Sequence, residues 1–336
     1  MKVKRVSQEH FDGDVYNFHC SPDENYYANG LLIHNCYKGN GGNQDTHNMT
    51  LNEFKVLLGK MPKALTQIAF GIMDIGTNPD FFPIMEYTRE MGIIPNYTCH
   101  GLDVTDEYAK RTAELCGAVA VSLVDKEKSY DAIARFRDNG VKVVNIHYVI
   151  SKERMANKEA PAVIADASSD PRLRDLHAIV FLSYKPKGRN KGMYTPIDTE
   201  DYKQLIEWCN ARGVNYGFDS CACPTFYRAI EDHPQRDNVM MFAEPCESGL
   251  FSSYINCHGD FFPCSFTEGE GKWVEGISVL HCDDFLQDVW YKDRLKEWRG
   301  ELIMSSLECN CPDKHLCRSC PSFDITTCKR SANENT

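Results

Sequence analysis

The chain has no run of eighteen consecutive apolar residues, and so no stretch expected to cross a bilayer as a helix. Its opening, MKVKRVSQEHFDGD, carries Lys2, Lys4 and Arg5 without an apolar segment behind them, so no secretory signal is expected. Basic residues are in deficit: 37 Lys and Arg against 48 Asp and Glu leave a net charge of −11. A nucleic-acid partner is not expected from that balance, because phosphate contacts need basic surface. Lys185, Lys187, Arg189 and Lys191 form one local basic cluster. No repeat of fixed period and no low-complexity tract occurs in the 336 residues. The expected setting is therefore cytoplasmic, with no membrane partner and with thiols kept reduced.

Cysteine, by contrast, is abundant. Sixteen cysteines in a reducing compartment are not a disulfide framework. Cys99, Cys116 and Cys209 stand singly in strand-like or helix-like patterns and read as small buried hydrophobes. The tail differs. Residues 309–320, CNCPDKHLCRSC, put four cysteines into twelve residues, the density of a metal site.

The chain divides by pattern into three parts. Residues 1–35 are short-stranded and turn-rich, with YYANGLLI reading as strand, Asn-Gly turn and apolar strand. So short a segment cannot build a core alone. From about residue 50 to 240, helix and strand patterns alternate. TLNE at 50–53 is a capping box before the face Leu51, Phe54, Leu57, Leu58 and Met61. The next helix is expected with Asn78 as N-cap, Pro79 at its first position and Gly92 past its end. Further helices are expected over 105–116, 128–138, about 161–168, and 200–212 ending at Gly213. Six strands follow Cys36: 66–72, 94–99, AVAVSLV, VKVVNIHYVIS, HAIVFLSYK and VNYGFDS. That alternation predicts an α/β fold with a parallel sheet, barrel-like or open, and with its chemistry at the carboxyl ends of the strands. Beyond about 240 the alternation stops, and cysteine, aromatic and turn residues mark a separate domain, 241–336.

His34-Asn35-Cys36 carries a specific chemical option. An asparagine side-chain amide can attack its own backbone carbonyl, forming a succinimide and breaking the bond to the next residue, with a histidine assisting by protonation. A following cysteine thiol can accept an acyl group. VYNFHCSPDENYYANGLLIHNC resembles the C-terminal end of inteins over its whole length. The resemblance implies Asn35 as the cyclising residue, His34 as its assistant and Cys36 as the acyl acceptor. Glu24 and Asn17 depart from the histidine and aspartate of many inteins. Residues 1–35 have the length of the C-terminal piece of a split intein, so the expected partner is an N-terminal intein–extein half on another chain; a mis-assigned start would look the same.

CYKGN followed by βα units resembles the radical S-adenosylmethionine superfamily, whose C-x3-C-x2-C signature holds a 4Fe–4S cluster. Cys36-Tyr37 fits the third cysteine and the residue after it; the first two cysteines and strand 1 are absent from these residues. The implied fold is a partial (β/α)6 barrel lacking strand 1, over 36–240. FGIMDIGTNPDF (70–81) stands where the family has Gly-Gly-Glu-Pro, with Asp74 at the glutamate position, Ile72 and Met73 replacing the glycines and Ile75 the proline. By the same resemblance Ser122 is a polar residue near S-adenosylmethionine, and Asn145, His147 and YKPKGRN (184–190) line the same mouth.

The tail reads Cys246-x12-Gly259-x4-Cys264, then Cys309-x-Cys311-x5-Cys317-x2-Cys320 and Cys328. It resembles the SPASM domain, a carrier of auxiliary iron–sulfur clusters in enzymes that modify peptides and proteins. Seven cysteines imply one full cluster and a second with three thiolates, its fourth ligand being Cys257 or a substrate group. Zinc is the alternative, because thiolates suit both, and would make the chain a zinc-stabilised binding protein with a vestigial intein segment. Cys221 and Cys223, in FDSCACP, read as a packed pair, a thiol relay or a substrate contact. The resemblance implies a peptide or protein substrate and a reductant such as flavodoxin or ferredoxin. It also implies that only the joined product forms a 5′-deoxyadenosyl radical, the chain being an inactive half until Asn35 and Cys36 complete splicing.

Overall fold

The structure is a computed structural model describing residues 25–28, 31–34, 47–72, 74–187, 191–305, 311, 314 and 317–323. It comprises two compact units, residues 1–45 and 46–336. In the first, β1 (Asn25–Ala28) and β2 (Leu31–His34) pair antiparallel, Asn25 opposite His34 and Ala28 opposite Leu31.

The second unit begins with α1 (Leu51–Lys60), whose capping box forms as the sequence predicts. Thr50 Oγ1 accepts from Glu53 N at 3.3 Å, and the Glu53 carboxylate accepts from Thr50 N at 2.8 Å. The alternating elements are β3 (Gln67–Gly71), α2 (Phe81–Glu90), β4 (Ile94–Cys99), α3 (Asp106–Leu115), β5 (Val119–Ser122), α4 (Lys126–Asp138), β6 (Val144–Ile150), α5 (Lys152–Ala156), α6 (Glu159–Ser169), β7 (Ala178–Ser183), α7 (Thr199–Arg212) and β8 (Tyr216–Phe218). The six strands β3 to β8 make one parallel sheet in sequential order. This is the α/β architecture read from the alternation.

One helix expectation is corrected. α2 starts at Phe81, with Asp80 in the capping position rather than Asn78. Asn78 instead makes a turn before the helix, its Oδ1 accepting from Asp80 N at 2.9 Å, and Asp80 Oδ2 is taken by the first amide of α1, Leu51 N, at 2.9 Å. The helix expected over about 161–168 is α6, and a short helix not read from the sequence, α5, precedes it, the two separated by Lys158 in the left-handed region at φ 62°.

Strand periodicity of two divides the sheet's residues between its faces. Tyr97, Val121, Ile146, Ile150, Ile179 and Phe181 are buried among the helices. Cys99 and Cys209 lie in the same core, as expected of small hydrophobes, and Cys116 is partly buried against it. The alternate residues Asn145, His147, Val180 and Gly217 are less covered and line the opposite face.

After β8 come α8 (Cys223–Ala229) and α9 (Arg236–Met240), then a small antiparallel sheet of β9 (Tyr254–Ile255), β10 (Asp260–Phe262) and β11 (Ile277–Ser278), and finally α10 (Asp293–Met304). Phe261, Trp273, Phe285 and Trp298 form its core, to which α1 contributes Leu57. Lys60 of α1 also donates to Leu280 O and Cys282 O, at 2.8 and 2.6 Å. Gly259 turns the chain into β10 at φ 80°, where a Cβ would stand 2.5 Å from Leu280 Cγ; only glycine fits. No helix among the described residues is long and apolar enough to cross a membrane.

Candidate functional site

The open face of the sheet brings polar side chains from separate strands together. Ser122, the last residue of β5, pairs in register with His147 of β6, and Asn145 pairs with Ala120 two residues earlier. His147 also lines a cavity of about 430 Å³ with Val180, Leu182, Phe218, Asp219 and Met241. Burial keeps the His147 imidazole neutral and pushes its pKa down to about 4; Asp219 opposes the shift and Lys185 reinforces it.

Asp74 stands past the end of β3, heading the 3₁₀ turn Ile75–Thr77. The Asp103 carboxylate fastens that turn, accepting from Ile75 N at 3.1 Å and Gly76 N at 2.7 Å. Burial, and then the nearby Asp103 charge, raise the Asp74 carboxyl above the ordinary carboxylate range. Asp74 Oδ1 and Asn145 Oδ1 are both buried and without a hydrogen-bond partner among the described residues. Buried acceptors of this kind carry a desolvation cost until something donates to them.

At the far side of the mouth, β7 ends in Ser183-Tyr184-Lys185 and β8 runs into Asp219. Lys185 and Asp219 are ion-paired. Asp219 Oδ1 accepts from Ser183 Oγ at 2.9 Å, Ser183 N at 3.1 Å and Ala222 N at 3.2 Å. Burial works against the charge on Lys185, but Asp219 and then Cys221 more than offset it, and the ammonium is held above its ordinary range. The basic cluster read from the sequence is therefore not an open patch at Lys185 or Lys187. Lys187 Nζ donates to Phe266 O at 2.8 Å and to Glu268 O, tying the strand end to the cysteine-rich segment.

Below this pair, Cys221, Cys246, Cys264 and Cys320 line one cavity, walled by Pro224, Phe266, Trp298 and Phe323. Three of these were expected from the tail's spacing. Cys221 reads from sequence only as a relay, contact or packing residue, because nothing in FDSCACP signals that its turn faces a segment about a hundred residues later. Cys223 opens α8, is fully buried and lies outside that cavity. Cys311 and Cys317 frame a turn through Lys314, and neither lines the cavity. Asn35, Cys36, Tyr37, Cys309 and Cys328 lie outside the described residues, and His34 is described only as the end of β2.

Among the described residues no group of three or more His, Cys, Asp or Glu side chains is placed to hold a metal ion.

No family model matches the chain, and no curated protein matches it. Solved structures do. SuiB of Streptococcus suis bound to S-adenosylmethionine superposes with a TM-score of 0.62 at 15% identity, over 85% of this chain and 68% of that one. The same protein bound to precursor peptide SuiA gives 0.63 at 15% identity, over 87% and 71%. The protein anSMEcpe with bound AdoMet and the Cp18Cys peptide gives 0.52 at 15% identity, over 84% of each chain. The chain shares their fold. Both of those proteins hold S-adenosylmethionine, and both are seen with peptides.

Proposed function

We propose that this chain supplies most of a radical S-adenosylmethionine enzyme that modifies a peptide or protein. The observation that carries the reading is the pair of unpartnered buried acceptors, Asp74 Oδ1 past the end of β3 and Asn145 Oδ1 near the start of β6, in a fold shared with S-adenosylmethionine-bound proteins. Asp74 suits the amino group of the cofactor's methionine, an ammonium that a buried carboxylate accepts from strongly. Asn145 and Ser122 suit ribose hydroxyls, and the cavity beside His147 suits the substrate. Asp103 holds the Asp74 turn through two backbone amides, so the acceptor is positioned before the cofactor arrives. When bound next to a reduced 4Fe–4S cluster, S-adenosylmethionine supplies a carbon-centred radical that takes hydrogen from the substrate.

The residues present do not complete that first cluster. Cys36 is the one match to its three-cysteine signature, with Tyr37 the residue that follows it. In this reading the missing cysteines and the missing strand arrive when the Cys36 thiol takes the acyl group of an upstream polypeptide from its intein thioester or ester, Asn35 cyclises with help from His34 and breaks its bond to Cys36, and the acyl group then shifts from the Cys36 sulfur to the freed Cys36 amine, restoring the thiol. The domain limits that go with it are 1–35, 36–240 and 241–336. The tail cysteines, Cys309, Cys311, Cys317 and Cys328 among them, hold auxiliary iron–sulfur clusters fed by a small reductant such as flavodoxin or ferredoxin.

The test joins residues 36–336 to a β-strand bearing C-x3-C-x2 directly before Cys36. Under anaerobic reduction with S-adenosylmethionine this protein is expected to release 5′-deoxyadenosine, and Asp74→Ala is expected to weaken cofactor binding about tenfold or more, the loss of one charge-assisted hydrogen bond. Normal cofactor binding by the variant contradicts the reading.

A further inference from the structure

We propose that Cys221, in the turn after β8, is the fourth thiolate of an auxiliary iron–sulfur cluster whose other ligands are Cys246, Cys264 and Cys320. The inference rests on the iron–sulfur reading of the tail and goes beyond it. It makes the cluster fully ligated by protein, so no iron is left open to a substrate group.

The four sulfurs reach one cavity from four places in the chain: the strand-end turn, the loop before β9, the loop after β10, and the tail. Three of them are already engaged as thiolate ligands are. Phe266 N donates to Cys264 Sγ at 3.4 Å, Ser248 N donates to Cys246, and Ser322 N and Phe323 N donate to Cys320. In each case an amide two residues on points at the sulfur, where it stabilises negative charge and tunes an iron–sulfur centre. Cys221 is approached by a different group. It faces the buried Lys185 ammonium instead, which serves the same purpose. Arg318 also lines the cavity, anchored by Cys246 O at 2.7 Å.

Position argues the same way. Cys257, the ligand considered from the sequence, lies between β9 and β10 and does not line this cavity, whereas Cys221 does. The aromatic walls and Pro224 keep water from the sulfurs. A saturated, shielded cluster touching the end of the last sheet strand is built to pass electrons into the mouth rather than to bind a substrate there.

The test uses the full 336-residue chain, reconstituted anaerobically with ferrous iron and sulfide. Cys221→Ser is expected to displace the electron paramagnetic resonance signal of the reduced cluster and to let added cyanide shift it further. Cys223→Ser, two residues on, is expected to match the unaltered chain in both. Cys221→Asp keeps a ligating oxygen and should retain iron with a displaced signal, which separates lost ligation from lost folding. A Cys221→Ser or Cys221→Asp protein with the unaltered signal and no cyanide response overturns the assignment. Cys264→Ser distinguishes the two levels: if it too leaves iron and sulfide unchanged, the iron–sulfur reading of the tail fails; if it abolishes the signal while Cys221→Ser does not, only the fourth ligand falls.

Discussion

Lys185 and Asp219 are ion-paired across the ends of neighbouring strands, with side chains only 7% and 16% exposed. The pair joins three features of the molecule: the cavity holding His147, the turn carrying Cys221, and the strand end of β7. Asp219 is fully occupied by Ser183 and Ala222 as well, so it is fixed in place before Lys185 reaches it.

Removing one partner leaves the other buried and uncompensated. Lys185→Met is expected to cost about 3–5 kcal/mol, and Asp219→Asn a comparable amount. The double variant is expected to lie closer to the unaltered chain than the sum of the singles, since neither charge then remains alone. Thermal unfolding of the four proteins measures this. Strict additivity contradicts the pairing.

Much of this was legible in the sequence. The alternation of periodic helices with β-branched runs gave all six sheet strands, because a buried parallel sheet demands those residue types locally. The capping box at Thr50 and Glu53 is likewise a short-range device. What escaped was set by long-range contact. Asn78 reads as a cap until Asp80 is seen to take an amide from α1. Lys185 and Lys187 read as surface charge until Asp219 and the Phe266 carbonyl are brought to them. Cys221 belongs with Cys246, Cys264 and Cys320 only once the turn after β8 is folded against the tail.

The acid response has a defined sign. His147 has a folded pKa of about 4 against an ordinary value of 6.5. Above pH 6.5 both folded and unfolded forms are neutral there, and the residue contributes nothing to the pH dependence. As pH falls from 6.5 towards 4 the unfolded chain binds a proton that the folded chain refuses, so stability falls, by about 3 kcal/mol in full. His147→Gln is expected to flatten this part of the profile. Melting temperatures at pH 7 and near the lower limit check it, and an unaltered slope contradicts it.

The proposed junction chemistry can be tested apart from the fold. Asn35→Ala removes the amide nucleophile and is expected to stop release of residues 1–35 altogether, because no other group on the chain can form that succinimide. Mass spectrometry of the chain supplied with an intein N-terminal half reads the result directly. Release of the fragment from the variant contradicts the assigned role of Asn35.

What the cysteine-lined cavity binds decides between iron–sulfur and zinc chemistry. The decisive measurement is the iron, acid-labile sulfide and zinc content of the full chain after anaerobic reconstitution with all three offered. Iron and sulfide in equal amounts, with visible charge-transfer absorption, are the predicted result. A colourless protein loaded with zinc contradicts it.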